Sequence, residues 1–181
     1  MSQRALTELF RGKGAHVEPL ACVEDISAEV AARQVAGFPH SIGQLVFHMN
    51  YWMSYELRRI RGERPRYPEH AAESFPASPS PANAEEWAGL KRDFAGLLVQ
   101  FAELARSSSA EMQREIESAY EGDKKVAGTL EAVLWQMVAH DGARARDPLQ
   151  PGRRTASPSR SGPGRRTVRI RVTPFACAFC W

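Results

Sequence analysis

The chain of 181 residues carries 24 Lys and Arg against 21 Asp and Glu, a formal net charge of +3, and 43% hydrophobic residues. This size and composition suit one soluble domain with a real core plus an appendage. They exclude a membrane protein, because no run reaches the ~18 apolar residues that a span needs, and no apolar export segment follows the first residues. The three cysteines predict no disulfide framework. We therefore expect a cytoplasmic protein.

The charge is distributed very unevenly along the chain. Residues 1–141 carry 15 Lys and Arg against 20 Asp and Glu, whereas residues 142–181 carry nine Arg against the single acid Asp147. The second stretch is also rich in Pro, Ser and Gly and lacks the periodicity of a packed element. These shifts predict a folded domain over residues 1–141 and an Arg/Pro/Gly-rich, disordered tail over residues 142–181.

The first half of the domain predicts helices, with no convincing alternation of the kind that a half-buried strand shows. One helix is predicted over residues 2–11, and a weaker helical stretch over residues 19–35. A well-marked helix over residues 41–62 follows, because Ser41 and Gln44 can form a capping box at its start. The apolar spacing of this helix puts one imidazole on the face that also carries its large apolar groups.

The second half of the domain begins with a loop. Five prolines between residues 64 and 82 each remove a backbone donor, so this stretch is predicted to cross the surface without regular structure. A long helix is predicted to begin at Asn83, followed by a short charged helix over residues 110–120 and a last helix over residues 129–140. Four principal helices can enclose one core, which predicts an all-α four-helix bundle.

His48 and His140 are the candidate metal ligands. Each lies in an apolar helical run, and neutral imidazole binds Zn²⁺ or Ni²⁺ well. A catalytic site typically uses three protein ligands, so two fall one short. The alternative is that each is a core or rim histidine with a hydrogen-bond partner, and spacing alone favours this alternative. His16, His40 and His70 lie in predicted loops or near helix starts, where we expect surface or capping groups.

Two segments resemble a known family. Residues 38–63 resemble the second-helix motif of DinB-like proteins, and residues 129–140 resemble the approach to their last metal-binding helix. The resemblance extends over roughly residues 1–141. It implies a four-helix bundle, a homodimer, and a divalent metal held by one His on the second helix and a His-x-x-x-His pair on the last. His48 matches the first of these ligands and His140 the second.

The position of the third ligand is occupied by Arg144. A guanidinium stays protonated and has no lone pair to donate, so Arg144 cannot replace the missing imidazole. Unless Asp141 or a water substitutes, a metal here would be weakly held. The last helix is also predicted to be truncated, because the Pro- and Gly-rich residues 147–166 cannot continue it. Its loss would weaken the fold and expose apolar side chains of the other helices, namely Leu45, Trp52, Phe94 and Leu98.

A frameshift would explain the tail. We hypothesise a frameshift near codon 141 or 142, because nine Arg and no Lys beside abundant Pro, Ser and Gly are typical of GC-rich DNA read out of frame. An Arg-rich arm can instead bind phosphates, but this one lacks the interleaved aromatic residues of a stacking surface, and we expect no nucleic-acid partner. The pair Cys177 and Cys180 is either half of a zinc or redox motif or a chance pair. A lone CxxC is weak evidence for either kind of motif.

Two classes of function remain open. The resemblance implies a metal-dependent enzyme, either a thiol-dependent transferase or isomerase or a hydrolase-like protein, that acts on a small molecule. A bound metal would lower the pKa of a low-molecular-weight thiol so that the thiolate attacks. The alternative is a non-catalytic bundle, which would be a binding or stress-response protein, an inactive family member or the product of a disrupted gene. No phosphate loop, nucleophile elbow or dinucleotide fingerprint favours another class of enzyme.

Overall fold

The computed structural model describes residues 3–12, 17–76, 80–117 and 128–142. Six helices lie within these ranges: α1 (Gln3–Phe10), α2 (Ala28–Ala32), α3 (Ile42–Ile60), α4 (Ala84–Leu104), α5 (Ser109–Met112) and α6 (Leu130–Gly142). A 3-10 turn spans Ala71–Ser74, and two short strands, β1 (Glu115–Ile116) and β2 (Gly128–Thr129), pair antiparallel with Glu115 opposite Thr129. The predicted all-α class is confirmed.

The two longest helices run parallel. Asn50 Nδ2 in α3 donates to the carbonyl of Leu90 in α4 at 3.0 Å. Further along both helices, Arg61 Nη2 donates to Gln100 Oε1 at 2.7 Å. Because later residues of α3 meet later residues of α4, the two helices point the same way, and the chain must return along the bundle between them.

The helix α1 runs antiparallel to α4. The ring of Phe10 lies 5.6 Å from the ring of Phe101, whereas Gln3 Nε2 donates to the carbonyl of Ser107 at 2.7 Å. The end of α1 therefore meets the body of α4, and the start of α1 meets the turn that follows α4.

The last helix, α6, begins at the end of the bundle where α3 finishes. Leu130 N donates to the carbonyl of Arg114 at 2.9 Å, and Arg114 Nη2 donates to the carbonyl of Ile60 at 3.2 Å. Since α6 buries apolar side chains from Leu130 to Met137 in the shared core, it runs back along the bundle, antiparallel to α3.

One apolar core joins these helices. Its buried members include Leu6, Phe10, Leu45, Met49, Met53, Leu57, Trp87, Leu90, Phe94, Leu98, Phe101, Leu130, Val133, Leu134 and Met137. The predicted exposure of Leu45, Phe94 and Leu98 is therefore wrong, because all three are buried in the core to which α6 also contributes, and Trp52 is half-buried. Within the described ranges, no helix is both long and apolar enough to cross a membrane.

The predicted helices over residues 2–11, 41–62 and 129–140 and the helix that begins at Asn83 are confirmed, with ends that shift by a residue or two. The helix predicted over residues 110–120 is wrong, because α5 stops at Met112 and β1 follows, with residues 118–120 outside the described ranges. Most of the weak stretch over residues 19–35 forms turns, and only α2 is helical. The tail predicted over residues 142–181 lies outside the described residues after Gly142.

Capping groups fix the starts of the parallel helices. Ser41 Oγ accepts from Gln44 N at 3.3 Å while Ser41 N donates to Gln44 Oε1 at 2.9 Å, which confirms the predicted capping box. Asn83 Oδ1 accepts from Glu86 N at 2.9 Å at the start of α4. Ser41 Oγ also donates to the carbonyl of Ser80 at 3.1 Å, so one hydrogen bond ties the two helix starts together.

Gly43 allows this close approach, and its replacement tests the contact. A Cβ at Gly43 would lie 2.2 Å from Ser80 O and 2.3 Å from Pro81 Cδ. We expect Gly43→Ala to lower the free energy of unfolding by about 1–3 kcal/mol, because backbone on both sides must shift. Urea unfolding measures the change.

Gly96→Ala is the matched control for this substitution. Gly96 also lies in a long helix, but an added Cβ there meets nothing within 4 Å. It should raise the free energy of unfolding by roughly 0.5–1 kcal/mol. Similar stabilisation by both substitutions would contradict the packing of α3 against Ser80 and Pro81.

Candidate functional site

The candidate site is built around His48 in α3. The residue is 8% exposed, and a hydrogen bond of 2.8 Å joins its Nδ1 to Ser74 Oγ, at the end of the 3-10 turn. The imidazole ring stacks on Phe75, with centroids 4.2 Å apart and planes 10° from parallel. Two adjacent residues therefore hold both the ring plane and one ring nitrogen of His48.

The connection between α3 and α4 brings these residues to His48. Pro65 and Pro68 are buried along it, so it packs against the bundle rather than merely crossing the surface as predicted. Tyr67 lies 5.6 Å from the ring of Trp52 and 6.0 Å from the ring of Tyr55, both on α3. The connection therefore covers the face of α3 that carries His48.

His40 joins the same stack from the segment before α3. Its ring lies 3.9 Å from that of Phe75, with planes 8° apart. Two parallel rings this close to Phe75 must lie on its opposite faces, so the phenyl ring separates His40 from His48. His40 is half-buried, and burial lowers the pKa of its imidazole. The prediction of a surface or capping group is therefore wrong for His40, whereas His70 is exposed as expected and His16 lies outside the described residues.

His140 lies near the end of α6, and its side chain is outside the described set. The backbone of His140 lies ten residues after Leu130, which is about 15 Å along α6. This helix starts beside Ile60 and runs back along α3. His48 precedes Ile60 by twelve residues, or about 18 Å. The courses of α3 and α6 therefore bring the backbones of the two candidate ligands to a similar level of the bundle.

Among the described side chains, no group of three or more His, Cys, Asp or Glu comes together that could hold a metal ion. His140, Asp141 and Arg144 are not among those side chains. The ligand pair of His48 and His140 therefore stays a prediction.

A buried ion pair lies two turns beyond His48. Arg59 Nη1 is 2.7 Å from Glu56 Oε2, and the two side chains are 12% and 7% exposed. Arg59 Nη2 donates to the carbonyl of Glu117 at 2.6 Å, which ties α3 to the residue after β1. Burial raises the pKa of Glu56, although the neighbouring guanidinium opposes the shift. Burial outweighs the ion pair because removing the carboxylate from water costs more than its attraction to Arg59 returns.

A second carboxylate, Glu86, shows the opposite shift. Its Oε2 accepts from Ala82 N at 2.6 Å and its Oε1 accepts from Ser80 Oγ at 2.7 Å. These two hydrogen bonds stabilise the ionised form and lower the pKa of Glu86.

The two carboxylates should give the stability of the protein opposite dependences on pH. In the folded protein Glu56 keeps its proton to a higher pH than in the unfolded chain. Its contribution to the free energy of unfolding therefore falls as the pH rises from 4.5 through the raised pKa. The contribution of Glu86 is present above 4.5 and is lost as pH falls through the lowered pKa. As the pH rises, the wild type should lose stability relative to Glu56→Gln and gain stability relative to Glu86→Gln. Urea unfolding at several pH values measures both differences. A difference of the same sign for both variants would refute this assignment.

Sequence reasoning selected His48 but missed Ser74, Phe75 and His40. The contact between Ser74 and His48 spans 26 residues through a connection without periodicity. No local signal in the sequence marks these three residues, because Glu56, the carboxylate on the same helix, pairs with Arg59 of α3 itself.

Comparison with known proteins identifies the family. A family model described as the DinB superfamily matches residues 17–146. No curated protein and no solved structure matches the chain. The matched range begins before α2, includes His48 and His140, and reaches past Arg144. Because it covers well over half of the residues, the chain belongs to the DinB superfamily.

Proposed function

We propose that this protein binds a divalent metal, Zn²⁺ or Ni²⁺, through His48 and His140. The observation that carries the proposal is the hydrogen bond between His48 Nδ1 and Ser74 Oγ. Histidines that ligate metals almost always bond through their other ring nitrogen to a fixed polar partner. A buried imidazole held in this way is oriented to ligate through Nε2.

The donor set fits a borderline metal but holds it weakly. Imidazole suits Zn²⁺ and Ni²⁺, and two imidazoles leave the remaining coordination positions to water or to a small ligand. The third position implied by the family resemblance is Arg144, which lies in the range matched to the DinB superfamily. A guanidinium has no lone pair to offer.

The reaction that we propose uses a low-molecular-weight thiol. The thiol is either joined to a small-molecule substrate or assists its isomerisation. A metal at this site would lower the pKa of such a thiol. Trp52 is half-buried beside His48, with ring centroids 6.3 Å apart, and Tyr67 is 38% exposed against Trp52. These two rings offer a partly open apolar surface to a substrate with an apolar or aromatic part.

A non-catalytic bundle is the second candidate function. The observation that favours it is Arg144, because a family member without the third ligand would keep the fold and lose the chemistry. This alternative includes the product of a disrupted gene, and an independent read of the locus tests the frameshift near codon 141 or 142. The homodimer and the cytoplasmic location remain predictions.

Metal content distinguishes the two candidates. We expect about one Zn²⁺ or Ni²⁺ per chain, by elemental analysis of protein equilibrated with an excess of the ion because two imidazoles hold it weakly, and clear loss of that metal in both His48→Ala and His140→Ala. His70→Ala is the control, because His70 is exposed on the same connection as Ser74. Absence of metal from the wild type would support the non-catalytic bundle.

Restoring the third ligand gives a sharper prediction. Arg144→His should tighten metal binding by at least about tenfold, because three imidazoles can then share the ion. Arg144→Lys, which keeps the positive charge without adding an aromatic nitrogen, should leave the affinity low. Titration with Zn²⁺ measures both variants. Equal affinities would show that residue 144 is not beside the site.

A further inference from the structure

We propose that Ser74 is the positioning residue of this site. In this assignment, Ser74 Oγ accepts a hydrogen bond from Nδ1–H of His48, fixes that tautomer, and so presents the Nε2 lone pair to the metal. The inference rests on the proposed function, because His48 is the ligand that Ser74 would serve.

The hydrogen bond is well protected from water. Ser74 is 0% exposed, His48 is 8% exposed, and the distance between Nδ1 and Oγ is 2.8 Å. In such a dry environment a hydrogen bond is stronger than in water. We therefore expect the bond to persist in solution.

The direction of the hydrogen bond decides whether His48 can ligate. A neutral imidazole carries one N–H, and a serine hydroxyl can donate or accept. If Ser74 donated to Nδ1, the proton would lie on Nε2 and that nitrogen could not bind a metal. If Ser74 accepts from Nδ1–H, Nε2 carries the lone pair.

Phe75 completes the positioning. Its ring fixes the plane of the imidazole by stacking at 4.2 Å, and Ser74 fixes the direction of Nδ1 within that plane. Once the plane and one nitrogen are set, the direction of Nε2 follows from the geometry of the ring. A ligand oriented before the metal arrives binds at a lower entropic cost.

The turn that carries Ser74 is itself held by hydrogen bonds. Glu73 N donates to the carbonyl of His70 at 3.0 Å, and Phe75 N donates to the carbonyl of Ala72 at 3.1 Å. His70 N also donates to Glu73 Oε1 at 2.9 Å. These bonds make the turn a defined support for the hydroxyl rather than a loose segment.

A nucleophilic role for Ser74 is a different reading of the same pair, and burial argues against it. A serine that attacks a substrate must have its Oγ within reach of the reacting carbon, with a base that takes its proton. Ser74 is fully buried where the connection packs against α3, so no substrate reaches its Oγ. The hydroxyl can act on His48 but not on a substrate.

The tautomer of His48 tests the assignment without any metal. We would record ¹⁵N–¹H correlations of the histidine side chains in the full-length, metal-free protein at about pH 8, where an ordinary imidazole is neutral. We expect the Nδ1–H tautomer for wild-type His48 and a shift towards Nε2–H in Ser74→Ala. Ser80→Ala is the matched control, because Ser80 is 2% exposed on the same connection but bonds to Glu86 instead.

Metal affinity provides the second measurement. Ser74→Ala should weaken Zn²⁺ binding by about 10–100-fold, the usual effect of removing the partner of a ligating histidine. Ser74→Thr retains the hydroxyl and should recover much of the affinity, whereas Ser80→Ala should bind as the wild type does. Equal losses in Ser74→Ala and Ser80→Ala would overturn the assignment, since they would indicate a general effect on the fold.

The two measurements separate the inference from the function on which it rests. Wild-type His48 in the Nε2–H tautomer would overturn the role of Ser74, even if Ser74→Ala did not fold. The Nδ1–H tautomer in a protein that binds no Zn²⁺ would overturn the metal proposal and support the direction of the hydrogen bond.

Discussion

The parallel course of α3 and α4 is the constraint on which the rest of the structure depends. Two successive helices that point the same way require a connection as long as the bundle itself. In this chain that connection begins after Ile60 and ends at Asn83, and it lies against α3. Its packing covers the helix face that carries His48, so the course of the backbone creates the environment of the candidate ligand.

Polar contacts hold the connection at three levels of α3. At the start of the helix, Ser41 Oγ donates to the carbonyl of Ser80. In the middle of the helix, Ser74 bonds to His48. Near the other end, Arg64 pairs with the carboxylate of Glu117, whose backbone carbonyl accepts from Arg59. The exposed pair of Arg64 and Glu117 contributes little by itself. The two buried contacts matter more, because breaking either one leaves a polar group without water.

Sequence patterns predicted the helices that carry the core and one residue of the site. Capping chemistry marked the starts of α3 and α4, and apolar periodicity marked their buried faces, since both signals are local. His48 was selected because an imidazole among apolar residues is unusual. Ser74, Phe75 and His40 could not be selected, because their contacts join segments that are distant in the chain and irregular in structure. The two-residue strands were missed because two residues cannot show an alternation.

The family resemblance supplied what local patterns could not. It predicted that the helices containing His48 and His140 belong to one bundle, and the match to the DinB superfamily supports that membership independently of the fold. The departure at Arg144 comes from the sequence alone, because Arg144 lies outside the described residues.

The span of 26 residues between His48 and Ser74 has a consequence for the order of folding. Helix formation closes short loops and is fast, whereas a contact between distant residues must first overcome the entropy of closing a long one. The contact that docks α4 on α3, between Asn50 and Leu90, spans 40 residues, so the loop to Ser74 is the shorter of the two and costs less entropy to close. We therefore expect the environment of His48 to assemble together with the pairing of α3 and α4, and not after it.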